Sequence, residues 1–486
     1  MDSNILIGWA QGSITPEKPV NLFGMFNERI STHVEEPCTA TALALEGADG
    51  EHAIWLSCDL LNATLDVLQD VRQAVAKQIP GLEPSKVLLS CTHTHNAPNF
   101  RDDLFPAPPP GVMTPQAYRE FFVPRVANVA VQAWQSRLPG QVVPALGHAV
   151  LGWCRRVVYA DGTGQMYGET QRADFVKVEG PMDPGIELLF TCDPKGRPTG
   201  AVVSIACTSQ TCMGENFLTS DFWGRTRRDL RTHFGDAFTV LAVTGAAGDQ
   251  CPDDLIRWNR SEPRVRGLEG SGKLARGLEG SGKLARRLTQ GVVEGYETGC
   301  RDIVDAPVFR HTHAVINVPA YVMTAGQRVH YEERIVALTA KGEPDPSSWD
   351  GGTLMRIRRY LEEQAAMRPD ATLPVDCNFL RIGDFAVATN PFELYLEYGQ
   401  RIKACSPAVQ TIAAELTNNC LGYLPTRDAL GHGHYSAMPM DIRVGPDGGD
   451  KLVAESVKYL ELLFARGEKE NGEEKRCQSK QINEQH

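Results

Sequence analysis

The stretch Val87-Leu88-Leu89-Ser90-Cys91-Thr92-His93-Thr94-His95 carries the fold prediction for this chain. Its first three residues form a short apolar run, which predicts a buried strand. The strand leads directly into a polar segment that contains His93 and His95. Because ligands of open α/β sheets bind outside the carboxyl ends of the strands, we expect both histidines at a ligand site.

The flanking segments extend this strand into an α/β pattern. Residues 41–45 and 53–56 read as the strands of a hairpin, and apolar residues then recur at helical spacing from Leu65 to Ile79. Pro80-Gly81 ends this predicted helix. Further predictions are a helix from Thr114-Pro115, a hairpin over 186–190 and 201–206, and a strand over 239–243. We therefore expect an α/β fold, with one large domain of mixed β-sheets flanked by helices.

Composition and charge exclude several classes of protein. The 486 residues carry a net charge of −11, whereas a nucleic-acid binder needs concentrated positive charge. No apolar run approaches the ~18 residues of a membrane span, and the first residues do not resemble a secretory signal. The 13 cysteines follow no framework spacing, which indicates reduced thiols. These features predict a cytoplasmic protein with no nucleic-acid partner and no integral membrane segment.

Two further segments bear on the domain organisation. Gly267–Arg276 reads GLEGSGKLAR and Gly277–Arg286 repeats it, which indicates a duplication in a surface loop or at the start of a helix. Residues after about 466 are highly charged and poor in apolar side chains, which predicts disorder. The expected division is one folded domain over 1–465, with the duplication at 267–286, and a disordered polar tail over 466–486.

The spacing of His93 and His95 points to metal chemistry. On an extended segment, residues i and i+2 lie on the same side, so both imidazoles can face one cleft, and neutral imidazole is a common zinc ligand. The alternative is a pair of polar loop histidines without a metal. His311 and His313 repeat the pattern in a β-like run, where we expect a solvated strand face.

Six segments, in order along the chain, resemble motifs of the neutral ceramidases. They are Cys91–Pro98, similar to GTHTHSGP; Ser220–Gly224, similar to Ser-x-Asp-x-x-Gly; Ala247–Pro252, similar to the nucleophile segment; Asn390–Glu393, similar to Pro-Gly-Glu; Gly422–Thr426, similar to Gly-Tyr-x-x-Thr; and Tyr435, twelve residues after Tyr423. The chain is therefore identified as similar to the catalytic domain of the neutral/alkaline non-lysosomal ceramidase superfamily, with 1–465 as that domain.

The resemblance implies one zinc ion per chain. His93, Glu393 and Tyr423 would hold it together with a second histidine, and His95 would lie beside it in the active site. Zinc would polarise a scissile carbonyl and activate a nucleophile or water. Glu393 has an alternative role, since a carboxylate at a helix N-terminus also interacts with the helix dipole.

Two more residues gain roles from the resemblance. Tyr435 would donate to the oxyanion or position the substrate. Arg155, in a segment similar to Asn-Arg-Ser, could bind a substrate carbonyl or carboxylate through its guanidinium group.

The sequence departs from the family pattern at two positions. Thr208 stands where the second histidine ligand is expected, so the fourth ligand could be Thr208, Cys207, Gln210 or water. Cys251 stands where the family has its nucleophilic serine. A thiolate there could be the nucleophile, could become a metal ligand, or could only line the pocket.

The functional expectation is a zinc-dependent hydrolase of a carbonyl substrate, which would be a small amide, ester or lactone. One alternative is a true ceramidase that acts on N-acyl sphingoid bases, with a lipid-like substrate. The other is a non-catalytic relative that binds a ligand at a degenerate site. The ordered chain is expected to end near Ala465, without the C-terminal β-sandwich domain of the secreted family members.

Overall fold

The computed structural model describes residues 5–257, 276–345 and 348–483. The strands are β1 Ile5–Ser13, β2 Thr39–Glu46, β3 His52–Cys58, β4 Val87–Cys91, β5 Leu138–His148, β6 Trp153–Cys154, β7 Arg156–Tyr159, β8 Gly164–Met166, β9 Phe175–Val178, β10 Gly185–Cys192, β11 Pro198–Ile205, β12 Thr239–Thr244, β13 Gln250–Cys251, β14 Phe309–Pro319, β15 Thr372–Ile382, β16 Phe385–Thr389, β17 Glu393–Leu394, β18 Gln410–Ala414 and β19 Tyr423–Leu424. The helices are α1 Leu65–Ala76, α2 Pro115–Gln135, α3 Phe222–Phe234, α4 Gly277–Gly299, α5 Ala325–Thr339, α6 Trp349–Ala365, α7 Leu396–Cys405, α8 Arg427–His432 and α9 Pro446–Asn483.

An eight-stranded mixed sheet forms the centre of the molecule, in the order β12-β11-β10-β5-β1-β2-β3-β4. The predicted hairpin is the antiparallel pair β2–β3, and β4 adds to β3 in parallel after the crossover through α1. The second predicted hairpin is β10–β11, and β12 pairs with β11 in parallel. The α/β prediction with mixed sheets is thus confirmed.

Helices α1 and α2 cover one face of the part of this sheet that runs from β1 to β4. The apolar stripe of α1 is buried through Val67, Leu68, Val71 and Val75, as the helical spacing predicts. The helix ends at Ala76, a few residues earlier than the predicted stop. The second helix begins as predicted, because the Thr114 hydroxyl accepts a hydrogen bond from the Ala117 amide.

A four-stranded sheet, β14-β15-β16-β18, packs against the other face of the large sheet. The core between the two sheets joins Leu43, Trp55 and Leu88 of the large sheet to Leu380 and Ile412 of the smaller one. Helix α9 covers the outer side of the smaller sheet by packing on β14 and β15. The layers are therefore helix, sheet, sheet and helix.

The two sheets meet where several strands end. Ser90 at the end of β4 bridges to Thr417, and Gly245, directly after β12, bridges to Ala414 at the end of β18. The two-stranded sheets β17–β19 and β13–β6 lie among the segments that follow these strand ends. Several of the segments that contain the sequence motifs therefore lie close together at this junction.

The remaining sequence predictions have mixed outcomes. The second repeat copy forms the first turns of α4 and buries Leu284 and Ala285, so it is a packed helix start. The first copy, apart from Arg276, lies outside the described residues. The domain boundary at 465 and the disordered tail stay predictions, because side chains from 466 onward and residues 484–486 are not described. Within the described ranges, no helix is long and apolar enough to cross a bilayer.

Candidate functional site

His93 follows β4 and has a left-handed backbone with φ of 59°. A residue with a side chain rarely adopts this conformation, and such residues concentrate at functional sites. The ring Nδ1 donates to the Leu61 carbonyl at 3.0 Å, which leaves Nε2 as a lone-pair acceptor. Burial lowers the pKa of His93 to about 4, so the ring is neutral at neutral pH.

His95 adopts the same tautomer. Its Nδ1 donates to the Gly24 carbonyl at 2.8 Å, and its Nε2 lies 3.4 Å from His93 Nε2. Burial, with the neighbouring His93 as a further cause, holds the pKa of His95 well below its usual value. The Nε2 atoms of two neutral rings, which carry lone pairs and no hydrogen, therefore lie close together in a buried place, which is unfavourable unless a cation or a donor lies beside them.

Glu393 and Tyr423 lie next to each other because β17 and β19 are parallel partners in register at these two residues. The carboxylate Oε2 of Glu393 lies 3.7 Å from His93 Nε2. Burial raises the pKa of Glu393 despite a hydrogen bond from the Tyr423 hydroxyl. Glu393 precedes α7 and lies in a strand pair, so the alternative of a first-turn helix residue is wrong.

Arg155 connects the two sides of the site and is 2% exposed. Its guanidinium Nη2 donates to the Gly248 carbonyl at 2.9 Å and to the Tyr423 hydroxyl at 3.3 Å. Its Nη1 donates to the Gln210 amide oxygen at 3.4 Å. A fixed positive charge thus lies at the centre of the cluster, where it favours negative charge nearby.

Tyr435 contributes a hydroxyl 3.3 Å from the Tyr423 hydroxyl. Burial raises the pKa of Tyr435 to about 12, so this hydroxyl stays protonated and can donate. The ring packs edge-on against Phe26, with centroids 5.4 Å apart. Tyr435 and Phe26 are partly exposed, whereas the two imidazoles are buried, so solvent approaches the site from the tyrosine side.

The loop that carries Tyr435 is held by Arg156, which sequence reasoning missed. Arg156 donates to the backbone carbonyls of Tyr435 at 2.8 Å and of Gly433 at 2.7 Å, and it pairs with Glu179. The loop needs this support, because His434 and Ser436 both have positive φ. The sequence signal was a second arginine beside Arg155, but the two carbonyls that it binds lie some 280 residues further along the chain.

Cys251 lies at the wall of the cluster and is fully buried. Among the described residues, the hydrogen bonds of its Sγ are both to the backbone of Asp253. Burial and the nearby Asp253 raise the pKa of the Cys251 thiol to about 12. The thiol is therefore protonated at neutral pH, and no base in contact activates it in the described part of the chain.

The segment from Cys207 to Gln210 forms the remaining wall. Cys207 donates its thiol to the Leu151 carbonyl at 3.3 Å and packs in the apolar core, as a small buried hydrophobe does. The Thr208 hydroxyl donates to Gln210 Oε1 at 2.7 Å. The Gln210 side chain turns toward His95, with Nε2 to Nε2 at 2.7 Å. Of the three candidate fourth ligands, Gln210 is thus in contact with the histidine pair.

The donor set fits a zinc ion in part. Within the described ranges, no group of three or more His, Cys, Asp or Glu side chains is arranged to hold a metal. The cluster combines instead the free Nε2 of His93, the Glu393 carboxylate and the Tyr423 hydroxyl, so the third donor is a tyrosine. An imidazole nitrogen with an available lone pair, 3.7 Å from a carboxyl oxygen, suits a cation.

Two solved structures match the fold of this chain. A crystal structure of neutral ceramidase from Pseudomonas aeruginosa matches with a TM-score of 0.66 and 15% identity, over 96% of this chain and 75% of that one. A structure described as ceramidase complexed with C2 matches with a TM-score of 0.67 and 14% identity, over 96% and 76% of the two chains. The chain has the neutral ceramidase fold. No protein-family model and no curated protein matches the sequence.

The neutral ceramidase fold confirms the resemblance inferred from the six motifs at the level of the fold. The structure also brings together most of the predicted site residues, namely His93, His95, Arg155, Glu393, Tyr423 and Tyr435. Cys251 makes its hydrogen bonds to the Asp253 backbone and is linked to this group by the electrostatic effect of Arg155. Their roles in metal binding and catalysis remain predictions.

Proposed function

We propose that this chain is a zinc-dependent hydrolase of a carbonyl substrate, either an amide, an ester or a lactone. The observation that carries the proposal is the convergence of a neutral, unpaired His93 Nε2 with the oxygens of Glu393 and Tyr423 beside a buried arginine. This convergence lies on a scaffold shared with neutral ceramidases.

The metal ligands in this proposal are His93, Glu393 and Tyr423. When bound, zinc polarises the substrate carbonyl and lowers the pKa of a water molecule. The Leu61 carbonyl fixes the His93 ring by accepting from Nδ1, as outer-shell partners of ligating histidines do.

Charge that develops on the carbonyl oxygen during attack needs donors that are already in place. Tyr435 supplies one, because its hydroxyl is protonated and faces the Tyr423 hydroxyl. Arg155 adds a fixed positive charge that never titrates in the working range. Both groups are held by protein contacts before substrate binds, so little reorganisation is needed.

Water is the nucleophile in this proposal, and Cys251 lines the wall. Water adds to the carbonyl carbon, the bond to the leaving nitrogen or oxygen breaks, and the leaving group takes a proton. The protonated, fully buried thiol of Cys251 supports this role, since a nucleophilic cysteine needs a lowered pKa and an adjacent base.

The test is a panel of soluble esters, amides and lactones, assayed with zinc-loaded protein and with the variant Tyr435→Phe. Loss of the donor hydroxyl should lower kcat by about 10²-fold or more, with zinc content unchanged. Tyr398→Phe is the matched control, because that hydroxyl donates to the Pro425 carbonyl outside the cluster. Zinc-loaded protein that hydrolyses nothing in the panel would favour a ligand-binding relative without catalysis.

A second candidate is hydrolysis of N-acyl sphingoid bases, which one observation favours. Phe26 packs on Tyr435 on one side and on Trp349 on the other, with centroids 5.0 Å apart in the second pair. Trp349 is 66% exposed, so these aromatic rings form a continuous path of ring contacts from Tyr435 to the surface. A ceramide analogue in the same panel separates the candidates. If the path binds an acyl chain, Trp349→Ser should lower hydrolysis of the analogue more than hydrolysis of the soluble substrates.

A further inference from the structure

The side-chain amide of Gln210 makes three polar contacts with residues of the site, besides a 3.9 Å contact from its Nε2 to Met213 Sδ. Its Nε2 lies 2.7 Å from His95 Nε2, and its Oε1 lies 2.7 Å from the Thr208 hydroxyl and 3.4 Å from Arg155 Nη1. Gln210 is 4% exposed, so these protein groups rather than water determine how the amide is oriented.

The contacts fix the amide in one orientation. A guanidinium nitrogen can only donate, so the atom facing Arg155 must be the amide oxygen. The Thr208 hydroxyl donates to the same oxygen. The amide nitrogen is thereby turned toward His95 and presents a hydrogen to it.

His95 has a single lone pair to offer. Its Nδ1 donates to the Gly24 carbonyl, so the proton is on Nδ1 and the lone pair is on Nε2. That lone pair accepts the hydrogen of the Gln210 amide. An imidazole nitrogen that accepts a hydrogen bond in this way cannot coordinate a metal at the same time.

The position of His95 would otherwise suit a ligand. Two nitrogens that bind one tetrahedral zinc at 2.0–2.1 Å stand about 3.3 Å apart. His93 Nε2 and His95 Nε2 are 3.4 Å apart. The ring is thus at ligand spacing from His93, and the amide of Gln210 occupies the lone pair that coordination would need.

We propose that Gln210 is a positioning residue that holds His95 out of the metal coordination sphere, because its amide hydrogen occupies the lone pair with which His95 would bind the metal. The inference rests on the proposed metal site at His93, Glu393 and Tyr423. With Thr208 at the position where the resemblance implies a second histidine ligand, three protein ligands remain, and a freed His95 would be a fourth. Thr208 and Arg155 serve this role by orienting the amide.

The experiment compares zinc affinity, measured by competition with a chelator, in the wild type, Gln210→Met, His95→Ala and the double variant. Methionine has similar volume and no hydrogen to donate, so His95 becomes free to bind the metal. Gln210→Met should bind zinc at least about tenfold more tightly, and His95→Ala should abolish this gain in the double variant. In the wild-type background, His95→Ala should leave zinc affinity nearly unchanged.

Cobalt gives a second readout that does not depend on turnover. Replacement of zinc by Co²⁺ should give different visible spectra for the wild type and Gln210→Met, because the variant gains an imidazole ligand. If Gln210→Met folds poorly, Thr208→Val removes only one contact to Gln210 Oε1 and should shift zinc affinity in the same direction by a smaller factor.

Weaker zinc binding in Gln210→Met would overturn the inference, since Gln210 would then be a ligand itself. An affinity equal to that of the wild type would also overturn it. Different results would overturn the metal site on which the inference rests. In that case the wild type binds no zinc, or His93→Ala binds zinc as tightly as the wild type.

Discussion

Two His-x-His pairs in this chain have the same spacing and opposite surroundings. His93 and His95 donate from Nδ1 to backbone carbonyls and turn both Nε2 atoms toward each other. On β14, His311 Nε2 lies 2.9 Å from Asn378 Oδ1, and His313 Nε2 lies 2.8 Å from Asp376 Oδ2. The second pair donates from Nε2 to side chains of the neighbouring strand, so both Nε2 atoms are paired within the sheet, while His311 Nδ1 is buried without a hydrogen-bond partner among the described residues.

The backbone explains the difference. The second pair belongs to a strand that stays in register with β15 over eleven residues, so each ring meets a partner on the next strand. His93 lies beyond the end of β4 in a left-handed conformation, which takes the segment out of any ladder. The same i, i+2 spacing therefore brings two Nε2 atoms together only in the pair that lies beyond the end of a strand.

The expectation of a solvated face for the second pair is wrong for His311, which is 6% exposed. The smaller sheet packs on the large one, and burial lowers the pKa of His311 to about 3. Sequence alone could not show this, because it did not predict a second sheet covering that face.

The strongest test of the comparison is the loss of one ring from each pair. His93→Ala should weaken zinc binding by more than about 100-fold, because it removes a ligand and not merely an outer partner. His311→Ala is the matched control and should bind zinc like the wild type. Equal zinc affinities in the two variants, measured by chelator competition, would remove the distinction between the pairs.

A smaller effect is expected at the glycine that supports His95. A Cβ at Gly24 would lie 2.6 Å from His95 Nδ1, whereas one at Gly50 would meet nothing within 4 Å. Both glycines have positive φ, so Gly24→Ala and Gly50→Ala share the backbone cost. Gly24→Ala should lower the free energy of unfolding by about 1–3 kcal/mol more than Gly50→Ala in urea denaturation. Equal losses would mean that the His95 ring moves aside without cost.

The smallest effect concerns the second pair and pH. Burial alone would raise the pKa of Asp376, but hydrogen bonding from His313 and attraction by Arg72 bring it below its ordinary value. A carboxylate with a lowered pKa stabilises the fold above its unfolded pKa and loses this contribution as pH falls through the folded value. The free energy of unfolding of the wild type should therefore exceed that of Asp376→Asn by its full amount above about pH 4, and this difference should shrink at lower pH. Urea denaturation across this range measures it, and a gap that widens on acidification would contradict the assignment.

The sequence predicted the scaffold and most site residues because these follow from short-range patterns. The strand before His93, the hairpins and the capped helix at Thr114 are local features, and the order of the motifs indicated the fold. The partnerships of Gln210 with His95 and of Arg156 with the Tyr435 loop join segments more than a hundred residues apart. Such contacts depend on how the two sheets meet, which no local pattern specifies.

The most direct test of the central claim is the metal content of untagged protein, purified without chelator, supplied with zinc and freed of excess. Plasma mass spectrometry should find about one zinc per chain, which is the single site at His93, Glu393 and Tyr423. A protein that retains no stoichiometric zinc under these conditions would contradict the zinc-hydrolase account.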